Sequence, residues 1–329
     1  MTRDDAPTSL QFRKETSARE PAFASTTHCR LLLRVDRTFA IQRALASAVS
    51  PGSRVLDAGC GSGILSFLAV AAGAREVVAV DRENVALARA LANENGLAPR
   101  IEFVEADLRT LDLPGRAFDV LLAFVYTNHV VVDEARSALV YALRDKLGAT
   151  GCQTIPNRVR YLAAPCDWPQ VDARTELTDL RNAIADLEKR YALKLQSLLE
   201  ATSAEVMLGR ARPRIHGDYE WAPAGGFGGY RHARGAFRIL GEPAVVAEIS
   251  YDSGPRFDRL PPGVQLEIAS PGICSAVLWT QELWFNDFLI WTAEHFSPLA
   301  TSVSVEPGEV VRLALDDDWR RTNVLSTEA

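Results

Sequence analysis

This 329-residue sequence predicts an α/β domain with a cofactor loop after its first strand, followed by a β-barrel or sandwich domain carrying an inserted helical arm. Three observations point there. Val55-Leu56-Asp57-Ala58-Gly59-Cys60-Gly61-Ser62-Gly63 is an apolar run that breaks into glycines just ahead of a helix-compatible segment. Strand-like and helix-like runs then alternate as far as Pro156, and beyond it short apolar runs recur between Gly and Pro, interrupted by one helix-period stretch. Alternation of the first kind builds a doubly wound parallel sheet, and closely spaced short strands build a barrel or sandwich.

The glycines at 59, 61 and 63 permit positive φ and close approach of a ligand, while the helix behind them offers unpaired N–H groups. Such a loop suits a nucleotide-type cofactor. Ile64 to Ala72 reads as a helix and Glu76 to Val80 as a second strand, with Asp81 at its carboxyl end, where an acid can bridge ribose hydroxyls. The unit repeats: a helix from Val85 to Asn95 stopped by Gly96, a strand from Ile101 to Val104, and the turn Glu105-Ala106-Asp107. Asp107 is placed to accept a hydrogen bond from an adenine amino group. A dinucleotide site would use G-x-G-x-x-G; here Asp57 precedes G-x-G-x-G. The pattern resembles class I S-adenosylmethionine-dependent methyltransferases, whose ligand has an amino-acid head and no phosphate. The resemblance implies S-adenosyl-L-methionine as cofactor, with Asp57, Gly59, Cys60, Gly61, Gly63, Asp81, Ala106 and Asp107 around it.

Composition narrows the partners. Net charge is −6 with a pI near 5.5, so no overall basic field draws nucleic acid or an anionic membrane. The five cysteines, at 29, 60, 152, 166 and 274, have no C-x-x-C spacing and read as reduced thiols. With no signal peptide and no apolar run near the roughly 20 residues that span a bilayer, a cytoplasmic protein is expected. His28, His216 and His232 are scattered without ligand spacing, so no metal site is expected.

Residues 1–30 are expected to be mobile or ordered by substrate, and residues 31–156 to form the cofactor domain. The cofactor domain closes with a strand from Phe118 to Val125, a helix from Glu134 to Lys146 and a turn at Gly148 to Gly151. Residues 157–329 then read as the β-rich domain, with strands at Val159–Ala163, Ala244–Tyr251, Val264–Ile268, Cys274–Trp279 and Val310–Leu315. Within it, Leu177, Leu180, Ile184, Leu187, Tyr191, Leu195 and Leu198 recur at helical spacing, so an amphipathic arm is expected over about 171–210. It can pack on its own barrel, close over the site, or join two copies. The aromatic run from Trp279 to Phe288, with Trp291, can line an apolar pocket or fill a core.

With these parts assembled, most of the chain resembles the protein arginine methyltransferases, in which a Rossmann-like domain precedes a β-barrel interrupted by a helical dimerisation arm. Arg37-Thr38 resembles the segment whose arginine pairs with the cofactor carboxylate. Val55 to Leu65 with Ala74-Arg75-Glu76-Val77 resembles the cofactor motif and second strand. Tyr141 to Leu147, leading to Ile155-Pro156-Asn157-Arg158, resembles the last helix and the domain junction. The resemblance implies a homodimer through the arm.

The acceptor loop departs from that pattern. The family's two glutamates, nine residues apart, fall on Glu134 and on Val125, and valine cannot hold a guanidinium. Losing one partner of a charged clamp is costly, so a small-molecule acceptor methylated at N, O or C is expected here. Methyl transfer is an in-line displacement over roughly 3–3.5 Å. An acceptor that must lose a proton needs a base, and His129 is the first choice, oriented by Glu134 or Asp133, with Tyr126 and Asn128 as hydrogen-bonding neighbours. His129 as a substrate hydrogen-bonder is the alternative. Two other readings stay open: a protein or peptide arginine methyltransferase whose clamp is rebuilt from Asp133 and Glu134, and a non-catalytic cofactor-binding partner subunit.

Overall fold

The computed structural model describes residues 28, 31–126, 130–167, 173–200, 237–252, 263–314 and 323–328. The chain divides into two compact units. One holds Met1–Arg160, Glu248–Arg259 and Gln281–Thr292; the other holds Tyr161–Ala247, Leu260–Thr280 and Ala293–Ala329.

The first unit is built on a parallel five-stranded sheet of β1 (Arg54–Ala58), β2 (Glu76–Asp81), β3 (Ile101–Glu105), β4 (Phe118–Leu122) and β5 (Gly148–Ile155), in the order β3-β2-β1-β4-β5. Helices α1 (Val35–Ala48), α2 (Ile64–Ala71), α3 (Val85–Glu94) and α4 (Val130–Leu147) connect or precede these strands. Val55, Leu56, Val77, Val78, Ala79 and Val80 are all buried, which is why these strands read as continuous apolar runs. Strand order reverses between β1 and β4, so the carboxyl ends of β1, β2 and β4 share one edge, the usual ligand position in open α/β sheets.

Three boundaries differ from expectation: the turn expected at Gly148 to Gly151 is instead the opening of β5, which pairs with β4. The strand expected to reach Val125 ends at Leu122, because the Ala123 amide turns to the Ile155 carbonyl (2.9 Å) and the chain leaves the ladder. The following helix starts at Val130 rather than Glu134, since its β-branched opening hides a helical turn; Asp133 in that turn complements the helix dipole.

The remaining strands are β6 (Arg158–Asp167), β7 (Arg238–Ile239), β8 (Ala244–Ser250), β9 (Gly263–Glu267), β10 (Gly272–Phe285), β11 (Phe288–Val305), β12 (Val310–Ala314) and β13 (Asn323–Glu328). They form a sheet ordered β11-β10-β6-β7 with β8 also on β6, and an antiparallel sheet ordered β13-β12-β9. The division between units falls within β6, β8, β10 and β11. In the second unit Ala164, Cys166, Ala276 and Leu278 cluster with Phe237. Helix α5 (Ala173–Tyr191) carries the arm: Ile184 packs with Leu187, Leu195 and Leu199, and Glu188 accepts the Leu195 amide at 2.7 Å beyond a turn at Ala192, φ 52°.

Within the first unit Asn157 is a buried junction. Its amide donates to Trp284 O and its carbonyl accepts from Tyr251 N, while its side chain bonds Asp252, Asn286 Oδ1 and the Asn286 amide at 2.6–3.0 Å. The segments 248–252 and 284–286 are thereby tied to the strand that follows β5.

Candidate active site

The glycine loop sits at the end of β1. Gly59 and Cys60 both donate to Val80 O, at 2.8 and 2.9 Å, which fastens the loop to β2. Gly61 has φ +53°, and a Cβ there would stand 2.5 Å from Cε1 of His28. Only glycine fits. Asp57 is buried and accepts from Ser66 Oγ at 2.6 Å; the Ser66 amide holds it as well, so it caps α2 in place of the side chain Gly63 lacks. Burial pushes its carboxyl up to about 7. The structure therefore gives Asp57 a supporting position behind the loop. The Cys60 thiol is buried, and desolvation together with Asp57 and Asp81 pushes it up and keeps it protonated.

Asp81 closes the loop from the neighbouring strand. Its Oδ2 accepts from Gly61 N at 3.0 Å, and its Oδ1 from Glu83 N and Asn84 N at 2.9 Å each. The carboxylate is thus fixed in orientation, and Oδ2 keeps a lone pair for a hydroxyl donor. Ala106 donates its amide to Asp81 O at 3.0 Å, bringing the third strand's turn alongside. The Asp107 carboxylate is held by Arg109 Nη2 at 2.6 Å and by the Arg109 amide at 2.9 Å, and these bonds lower its pKa.

Arg37, on α1, lies with its guanidinium 5.1 Å from the centroid of the Phe124 ring. It makes no ion pair or hydrogen bond among the described residues, and burial lowers its pKa to about 10, so it remains charged at neutral pH. Val125, next to Phe124, would lie 3.4 Å from a Cβ on Gly59. A desolvated cation without an anion among the described residues is a ready partner for a carboxylate. His28, packed on Gly61, is a neighbour of the loop that the sequence left as a scattered histidine, because a lone histidine in a polar segment has no periodic signature.

Beyond β4, Tyr126 is buried and its hydroxyl bonds that of Tyr251, whose ring packs edge-on to Tyr141. Tyr126 therefore packs in the core rather than facing outward. Asn128 and His129 lie outside the described residues. Asp133 is fully buried, with Oδ2 accepting from Gln281 Nε2 at 2.9 Å and Oδ1 standing 3.8 Å from Arg136 Nε. Arg136 Nη1 donates to Val125 O at 2.5 Å. Glu134 is half-buried and has no partner among the described residues. The aromatic run packs: Phe285 stacks edge-on to Phe288, while Trp284 and Trp291 lie under Arg158 and Arg34. Among the described residues no group of three or more His, Cys, Asp or Glu could hold a metal, and no helix is long and apolar enough to cross a membrane.

Comparison with known proteins bears on the domain and fold that hold this site. Residues 55–151 match the methyltransferase domain family. Residues 55–151 are thus a methyltransferase domain. The fission yeast Schizosaccharomyces pombe ribosomal protein arginine N-methyltransferase rmt3 is 34% identical over 153 residues, covering 46% of this chain and 26% of that protein. The chain thus spans about a quarter of that relative's length. Among solved structures, protein arginine methyltransferase 10 of Arabidopsis thaliana superposes with a TM-score of 0.60 at 19% identity, covering 89% of this chain and 88% of the other. The Trypanosoma brucei PRMT1 enzyme-prozyme complex with AdoHcy gives 0.57 at 15% identity, covering 87% and 86%. The methyltransferase domain and the antiparallel sheets after it therefore share the fold of the protein arginine methyltransferases, and S-adenosyl-L-methionine is the cofactor the domain is built for. The expected small-molecule acceptor is overturned: the relatives are protein arginine methyltransferases, rmt3 by name one of ribosomal protein. Val125 had pointed the other way, because one lost carboxylate was read as a changed substrate class.

Proposed function

We propose that this chain is an S-adenosylmethionine-dependent methyltransferase acting on arginine side chains of polypeptides. The observation that carries the reading is Glu134, a half-buried carboxylate with no partner among the described residues, beside the buried and fully engaged Asp133. A half-buried carboxylate with no partner among the described residues is a ready acceptor for an incoming cation. The arginine-directed relatives name a cation of suitable shape, a guanidinium, which carboxylates bind bidentately. When bound, the cofactor supplies an electrophilic methyl group on its sulfonium. Arg37 would hold its carboxylate, the loop from Gly59 to Gly63 would admit its body, and Asp81 would take its ribose hydroxyls. Asp107 and Ala106 would flank the adenine. Glu134 would orient the guanidinium for in-line attack, with His129 as the candidate proton acceptor and Asn128 beside it.

The thiols of Cys60, Cys152, Cys166 and Cys274 are free and buried, which suits a reducing cytoplasm. A homodimer through the arm completes the reading.

The test is incubation of the chain with labelled S-adenosylmethionine and a protein extract, followed by hydrolysis and amino-acid analysis. Label should appear in methylarginine, and Glu134→Gln should lower kcat/KM by about 10- to 100-fold, the worth of one charge-assisted hydrogen bond. Cofactor binding with no label in arginine would overturn the reading and leave a cofactor-binding partner subunit.

A further inference from the structure

The loop after β4 and the first turn of α4 are joined by a bridge that the reaction, as proposed above, does not use directly. Arg136 Nη1 donates to the Val125 carbonyl at 2.5 Å, while its Nε stands 3.8 Å from Asp133 Oδ1. Asp133 is held on its other oxygen by Gln281 Nε2 at 2.9 Å, and both Asp133 and Gln281 are fully buried. Val125 in turn lies against Gly59 of the cofactor loop. One buried carboxylate, one buried amide and one guanidinium thus connect the glycine loop to the helix turn that bears Glu134.

We propose that Arg136 and Gln281 are positioning residues, which lock Asp133 and the Val125 backbone so that Glu134 is presented in a fixed place relative to the cofactor loop. The inference rests on the arginine reading for its substrate, though the bridge itself is independent of it. Asp133 could not serve as a second substrate anchor without giving up partners that compensate its burial. A charge-assisted bond to a carbonyl is directional as well as strong, so it fixes the loop backbone in a way apolar packing of Val125 would not. Arg136 is separated from Glu134 by one residue on α4, so the two share one helical turn.

The experiment uses the full chain with Arg136→Ala, Arg136→Lys and Gln281→Leu. S-adenosylhomocysteine affinity, thermal midpoint and steady-state methylation of an arginine-containing peptide are measured for each. Arg136→Ala should raise peptide KM at least tenfold while cofactor affinity stays within threefold, and Arg136→Lys should recover most of the loss because an ammonium can still donate to the Val125 carbonyl. Gln281→Leu should shift KM in the same direction as Arg136→Ala. Unchanged KM in both variants, or a parallel loss of cofactor affinity and thermal midpoint that lysine does not rescue, would overturn the proposal.

If the wild-type chain binds S-adenosylhomocysteine but methylates no arginine, the substrate reading fails and the bridge is judged by hydrogen exchange instead. Amides over 123–126 and 130–136 should then exchange faster in Arg136→Ala and return toward wild type in Arg136→Lys. Equal exchange in all three would overturn the bridge.

Discussion

Arg37 shows how much one side chain can say once its neighbours are known. The sequence places an arginine near the start of a helix; the structure adds that it is desolvated, stacked on Phe124, and without an anion among the described residues. A charge in that state invites a carboxylate. Arg37→Ala should weaken S-adenosylhomocysteine binding by about 10- to 100-fold in calorimetry, the range expected for one charged hydrogen bond, with little change in thermal midpoint.

Asp57 makes a different prediction, about stability. Its folded pKa is raised by burial to about 7 from 3.8, so between those values the folded state holds a proton that the unfolded chain has released. Stability contributed by the protonated form is full below the lower value and is lost as pH rises through the folded pKa. Asp57→Asn keeps an acceptor for Ser66 and removes the titration. The variant should therefore gain stability relative to wild type between pH 5 and pH 8, on the order of 2–4 kcal/mol by denaturant unfolding. A constant difference across that range would refute the assignment.

At the scale of elements, the first unit was largely legible and the loop after β4 was not. Alternating buried strands and helices with glycine stops are local signals, and they located β1 to β3 with α2 and α3 within a residue or two. The helix α4 opens on Val130-Val131-Val132, three β-branched residues whose local preference argues against a helix, so its true start was hidden. Likewise β11 runs from Phe288 to Val305 where the sequence showed an aromatic cluster followed by mixed polar residues, and only pairing with β10 makes that stretch a strand. Asn157 illustrates the same limit. Nothing local marks it as a hub, yet it satisfies Asp252 and Asn286, the latter 129 residues away along the chain.

For the molecule as a whole, the arm carries the open question of assembly. Its own hairpin buries Ile184 and half-buries Leu187, Leu195 and Leu199, while Tyr191, Leu193 and Leu198 stay exposed at 61%, 59% and 50%. Large apolar side chains gathered on one short stretch favour a partner surface. Light scattering should find a dimer, and Leu193→Asp combined with Leu198→Asp should shift it to monomer without unfolding; a wild-type monomer at micromolar concentration would refute the homodimer.

The sequence by itself determined the features proposed to serve the methyl donor: the glycine loop and the acids after the second and third strands. Those features depend on φ preferences and on periodicities that operate within a few residues. The tertiary structure decided the surroundings of the carboxylates proposed to meet the acceptor. It buried Asp133 against Gln281, 148 residues distant, turned Tyr126 into the core, joined Arg136 to Val125, and left Glu134 without a partner among the described residues. A carboxylate's role follows from which donors surround it and how much water reaches it, and both are properties of packing between segments that are remote in the chain.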